Sequence, residues 1–151
     1  MKVSPTTITQ TGTAESIRVV FGLSSSGDVA FETNRDEVGI LWRLSSGINK
    51  FHSFTVDGSS IPFGGTDFTL TPAVTDYYFE IIGNDGTYTF NIYSDEYVTL
   101  TETNSITDAG LVLDTLVVRG ITTATVSTNV AQGTVDDVQF WNGYTSRTTE
   151  Q

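Results

Sequence analysis

Apolar and polar residues alternate at period two along most of the chain, and no stretch keeps a 3.6-residue period for three turns. A β-strand turns successive side chains to opposite faces, so the pattern predicts strands and no long helix. The clearest runs are SIRVVFGL (16–23), VGILWRL (38–44), FHSFTV (51–56), YYFEII (77–82), TYTFNIYS (87–94), LDTLVVRG (113–120) and TVDDVQFW (134–141). FTLT (68–71), YVTLTE (97–102) and TATVST (123–128) are weaker. GNDG (83–86) separates two strong runs and signals a hairpin, because Asn, Asp and Gly accept positive φ. About ten short strands joined by turns describe a β-sandwich or barrel. The tail YTSRTTEQ (144–151) has no apolar period and is expected to fray.

The alternation also assigns faces. Tyr88, Phe90 and Ile92 share one side of their strand, with Thr89, Asn91 and Tyr93 on the other. Tyr77, Phe79 and Ile81 oppose Tyr78, Glu80 and Ile82, and Ile40, Trp42 and Leu44 oppose Leu41 and Arg43. In the last run Asp136, Val138 and Phe140 oppose Asp137, Gln139 and Trp141. The predicted core is Phe79, Ile81, Tyr88, Phe90, Ile92, Val138 and Phe140, with Trp42 also inside. The other sides bring Arg43, Tyr78, Glu80, Asn91, Tyr93, Gln139 and Trp141 to one polar and aromatic sheet face. Trp141 and Tyr93 suit sugar contact there, because a pyranose offers an apolar C–H face to a ring. Arg43, Glu80, Asn91 and Gln139 add directional hydrogen bonds. A loop or a neighbouring subunit covering the same rings is an equally good reading.

Composition agrees with the pattern. The 151 residues suit one domain, with residues 1–13 as a short N-terminal arm. Ser and Thr make up roughly a quarter of the chain, and branched Thr packs well on a pleated surface. The net charge of −11 repels phosphate backbones and anionic head groups, which disfavours nucleic acid and membrane surfaces as partners. It favours solubility and attracts cations such as Ca²⁺. With no Cys there is no disulfide framework. No apolar run reaches the length of a membrane span, and the N-terminus lacks a basic-then-apolar leader, so a mature fragment is expected.

ESIRVVFGLSSSG, YYFEIIGNDGTYTFNIYSDEYVTLTETNSI, LDTLVVRG and the closing GTVDDVQFWNG resemble, in that order, concanavalin A-like lectin/glucanase jelly rolls. The likeness is to the LamG-like domains of large microbial and viral surface proteins, and it spans most of residues 16–143. It implies an all-β, two-sheet antiparallel jelly-roll sandwich whose relatives mostly bind carbohydrate or mediate adhesion. Some relatives hold a structural Ca²⁺ at a rim, with an acid of the last strand as ligand; Asp137 matches that position and Asp136 adjoins it. The family usually has one or two strands ahead of the part matched by SIRVVFGL. Here MKVSPTTITQTGT offers at most a short strand at TTIT, so the expectation is either that N-terminal strands are missing or that a sheet edge is left for another chain to cover, as in a homo-oligomer.

Candidate chemistry narrows the function. Retaining glycosidases on this fold need two carboxyl groups roughly 5–5.5 Å apart across the scissile bond. The chain has no Glu-x-Asp-x-x-Glu stretch, and Asp136 and Asp137, as strand neighbours, point to opposite faces. They read as a hydrogen-bonded anchor beside a solvated acid, or as part of a rim Ca²⁺ site, which needs six to eight oxygens. The single His52 has no Cys or second His with which to form a metal site. No glycine loop leads from a strand into a helix, so nucleotide binding lacks support. The expectation is a non-catalytic carbohydrate-binding or adhesion module, extracellular, at a cell surface or on a virion, with a glycan or surface-protein partner. The alternative is a structural subunit of such an assembly.

Overall fold

A computed structural model describes residues 1–10, 16–25, 35–45, 47–58, 64–113, 115–122 and 130–138. Among them there are ten strands and no helix. The strands are β1 (Lys2–Thr9), β2 (Ser16–Ser24), β3 (Glu37–Ser45), β4 (Ile48–Val56), β5 (Gly64–Asp67), β6 (Tyr77–Asn84), β7 (Thr87–Tyr93), β8 (Leu100–Thr107), β9 (Thr115–Thr122) and β10 (Val130–Asp136). They form two antiparallel sheets of five strands, in the orders β10-β1-β6-β7-β8 and β5-β4-β3-β2-β9. We call these the front and back sheets. The pairing establishes a two-sheet antiparallel sandwich.

The core lies where the apolar sides meet. Ile40, Trp42, Leu44 and Phe51 of the back sheet pack with Val3, Tyr77, Phe79, Phe90 and Ile92 of the front sheet. Phe51 is the aromatic hub, with ring centroids 5.1 Å from Tyr77 and 5.0 Å from Phe79, both edge-on. Trp42 lies 5.7 Å from Phe51, and its indole N–H donates to Asn49 Oδ1 at 2.9 Å, so the buried ring keeps its polar atom paired. Leu41, Phe54, Val56 and Val117 form a second buried cluster on the outward side of the back sheet. Leu41 thus opposes Ile40 and Trp42, as the alternation predicts, yet it is buried as well.

The predicted hairpin is present. Asn84 pairs with Thr87 across a two-residue turn in which Asp85 has φ 47° and Gly86 φ 73°. Two successive positive φ values twist the connection with the hand of the strands. A Cβ on Gly86 would also stand 2.9 Å from Ala109 Cα.

Several boundaries differ from the pattern, each for a physical reason. The N-terminal residues are not an arm. β1 is an eight-residue strand between β10 and β6. Pro5 breaks the alternation there, and the register slips between Pro5 and Thr7. Gly133 faces this slip, where a Cβ would meet Ser4 O at 2.5 Å. FTLT is not a strand; β5 precedes it, and Phe68 is buried while its N–H reaches Phe51 O at 3.0 Å. The amides of Thr69 and Leu70 go to the Glu102 carboxylate, at 2.8 and 2.7 Å, rather than to a strand. β8 starts later than YVTLTE because Tyr97 takes φ 62°.

The last strand departs most. β10 ends at Asp136, Asp137 follows with φ 52°, and Val138 is 39% exposed rather than in the core. Within β10 it is Val135 that packs inward and Asp136 that faces out, the reverse of the predicted faces, and the left-handed residue after them ends the two-residue period. Phe140 and TATVST lie outside the described residues.

Candidate binding face

The outward side of the front sheet gathers the polar and aromatic side chains. Tyr78 and Glu80 of β6 stand opposite Tyr93 and Asn91 of β7 in register. Lys2 of β1 pairs with Tyr78 on one side and with Asp136 of β10 on the other. Strict alternation puts all of these on one surface, because their in-between neighbours Phe79, Phe90 and Ile92 fill the core.

Glu80 organises the centre. Its Oε2 accepts from the Tyr93 hydroxyl at 2.8 Å and from Asn91 Nδ2 at 2.9 Å. Asn91 is buried and also stands 3.4 Å from the Tyr93 hydroxyl. Burial, reinforced by the Glu80 hydrogen bond and charge, pushes the Tyr93 phenol up to about 12. The three side chains are held in one arrangement by a shared acceptor, while the rings remain partly open to solvent.

Tyr97 completes an aromatic cluster that alternation does not show. Its ring packs edge-on against both Tyr78 and Tyr93, with centroids 5.6 Å apart in each case. It reaches there from the β7–β8 turn with a left-handed backbone, which a bulky residue adopts only when its surroundings hold it. Asp95 supplies the hold: Oδ1 accepts from Val98 N at 3.1 Å and Thr99 N at 2.6 Å, and Oδ2 accepts from Thr99 Oγ1 at 2.8 Å. These hydrogen bonds, the Thr99 amide first, draw the Asp95 carboxyl below its ordinary range. A Ser-Asp-Glu sequence before Tyr97 is the trace of this turn in the chain, because Asp readily caps nearby amides.

Beside the cluster, Lys2 Nζ lies 6.0 Å from the Tyr78 ring centroid and 2.7 Å from Asp76 Oδ2. The Asp76 hydrogen bond raises the Lys2 ammonium, and Lys2 in turn lowers Asp76. The surface therefore joins three tyrosine rings, the Glu80, Asp76 and Asp136 carboxylates, the Asn91 amide and the Lys2 ammonium.

Arg43 does not belong to it. β3 pairs within the back sheet, so Arg43 lies on the opposite side of the sandwich, 3.1 Å from Asp67 Oδ1. His52 shares that carboxylate, with Nδ1 at 2.6 Å, and is buried. Equal parity along two strands implies a shared face only when the strands share a sheet. Gln139 and Trp141 lie outside the described residues. Asp136 is exposed on the front face, whereas Asp137 is past the strand end and exposed. Among the described residues no group of three or more His, Cys, Asp or Glu converges, there or elsewhere, in a way that could hold a metal ion.

No family model, curated protein or solved structure matches this chain.

Proposed function

We propose that the front face is a carbohydrate-binding surface and that the protein is a non-catalytic glycan-binding or adhesion module. The observation that carries the reading is the Tyr78–Tyr97–Tyr93 cluster locked to Glu80 and Asn91. Partly exposed rings offer sugars their apolar C–H contacts, and Glu80 and Asn91 offer hydroxyls charge-assisted and amide hydrogen bonds. Among the described residues only Oε2 of Glu80 is engaged. The backbone strain at Tyr97 fits a ring kept in place for contact. Binding without turnover is the expected mode: Glu80 faces Asn91 across β6 and β7, and the other acids of the face, Asp76 and Asp136, stand beside Lys2 rather than opposite Glu80. The concanavalin A-like resemblance points the same way and suggests a cell surface or virion as the location.

Stacking with a few exposed hydrogen bonds leaves modest affinity after ordering costs, so dissociation constants of roughly micromolar to millimolar are expected. The test is a glycan array on the intact chain, followed by titration of any hit with Tyr78→Ala. That variant removes one partly exposed ring and should weaken binding roughly tenfold while the fold stays intact. Unchanged binding would move the site off this face. Release of reducing sugar that disappears in Glu80→Gln would replace the binding reading with an enzymatic one. The alternative, a structural subunit of a surface assembly, draws on the outer edge of β8, which no strand covers among the described residues.

A further inference from the structure

β8 ends the front sheet on one side, and among the described residues no strand pairs with its outer edge. The direction of its backbone groups follows from a single bond. Asp108 N donates to Gly86 O at 2.7 Å, just outside the Thr87–Thr107 pair. In an antiparallel ladder bonded and non-bonded pairs alternate, so Thr107 pairs with Thr87 without bonding, and so do Ser105 with Thr89 and Thr103 with Asn91. The N–H and C=O groups of Thr103, Ser105 and Thr107 therefore point away from β7, and all three residues are exposed.

Natural edges are usually blunted by charge, proline or a bulge. From Leu100 to Thr107 there is no proline, and Glu102 is the one charged residue. Its carboxylate is turned inward, where it accepts from the amides of Thr69 and Leu70. Asn104 is also turned inward, 3.3 Å from Ser53 Oγ and 3.2 Å from Thr66 O. The register shift lies at Ile92/Tyr93, before Glu102, so the stretch from Glu102 to Thr107 is regular. What faces outward is a neutral hydroxyl row whose backbone groups have no strand partner among the described residues.

That row is complementary to itself. We propose that β8 pairs antiparallel with β8 of a second copy about a two-fold axis beside Asn104, joining two front sheets into one of ten strands. In this register Thr103 bonds with Ser105 of the other copy, twice by symmetry, and the cross-strand hydroxyl pairs are favourable. Glu102 falls opposite Ile106, so no like charges meet across the strands. Leu100, 50% exposed at the end of the edge, gains partial cover. Each copy carries a net charge of −11, so long-range repulsion opposes the pairing and added salt strengthens it. One strand edge is small beside the roughly 1,200–2,000 Å² of a standard interface, which makes the dimer weak.

Sedimentation equilibrium of the intact chain, up to about millimolar concentration where weak pairs form, tests this at low and high salt. A monomer–dimer equilibrium that tightens with salt is expected. Ser105→Pro removes an outward N–H without touching a β7 bond, and Thr103→Lys places like charges across the axis. Each should raise the dissociation constant roughly tenfold or more. Thr103→Lys keeps the test sound if the proline variant fails to fold by circular dichroism. A parent that stays monomeric throughout, a dimer unchanged in Thr103→Lys, or open-ended growth would each overturn the proposal. Glycan binding by the monomer is measured separately, so failure of one reading leaves the other standing.

Discussion

At the scale of single residues, the front face depends on how Glu80 treats its neighbours. The raised Tyr93 phenol gives this a titration signature. Its folded value, about 12, lies above the ordinary value of 10.0. The folded state therefore holds the proton more tightly, and the stability this contributes is complete below pH 10 and lost as pH climbs towards 12. Burial also raises the Tyr88 phenol, so an ultraviolet titration should show one fewer late tyrosinate in Tyr93→Phe than in the parent. In Glu80→Gln the Tyr93 step should move only part of the way down, because burial is the first cause and survives the substitution. If Glu80→Gln left that late step where it is in the parent, the carboxylate would have no part in holding the phenol.

Elements are decided by backbone as much as by side-chain pattern. The β6–β7 hairpin needs two left-handed residues, and Gly86 sits where a side chain would press on Ala109. Gly86→Ala should cost about 1–3 kcal/mol from strain of this kind, read as a lower denaturation midpoint. Phe90, fully buried in the middle of β7, is the packing counterpart. Phe90→Ala should cost about 3–5 kcal/mol, a large share of a small domain's stability. A chemical denaturation curve that shifted less for Phe90→Ala than for Gly86→Ala would contradict the core described here.

For the molecule as a whole, the interest lies in what ties one sheet to the other besides apolar contact. Glu102 of β8 takes the amides of Thr69 and Leu70, and Asn104 reaches Ser53 and Thr66. Both side chains leave the front sheet and end on the back-sheet strands or the chain just after them. Glu102→Ala would leave two amides to find water, at a cost of about 1–3 kcal/mol. The melting temperature should fall by on the order of 3–10 °C. No change would show that water replaces the carboxylate without penalty.

The sequence by itself determined the all-β class, the hairpin at Asp85–Gly86 and the two faces of β6 and β7. These follow from local rules: a two-residue period, a pair of residues tolerant of positive φ, and apolar positions that must leave water. From those rules Phe79, Phe90 and Ile92 were legible as core, and Tyr78, Glu80, Asn91 and Tyr93 as one surface. Only the tertiary structure decided which strands share a sheet, because parity along a strand carries no record of its partner; this is what separates Arg43 from Glu80. It also decided where the period stops. Pro5, Tyr97 and Asp137 each interrupt alternation, and whether such a residue ends a strand or only bulges it depends on what the partner offers. Tyr97 joins Tyr78 and Tyr93 because Asp95 bends the turn back over β6 and β7, and FTLT yields its amides to Glu102 from a distant strand. Contacts between residues far apart in the chain settle such competitions, since a local pattern leaves several backbone paths of similar energy and only packing separates them.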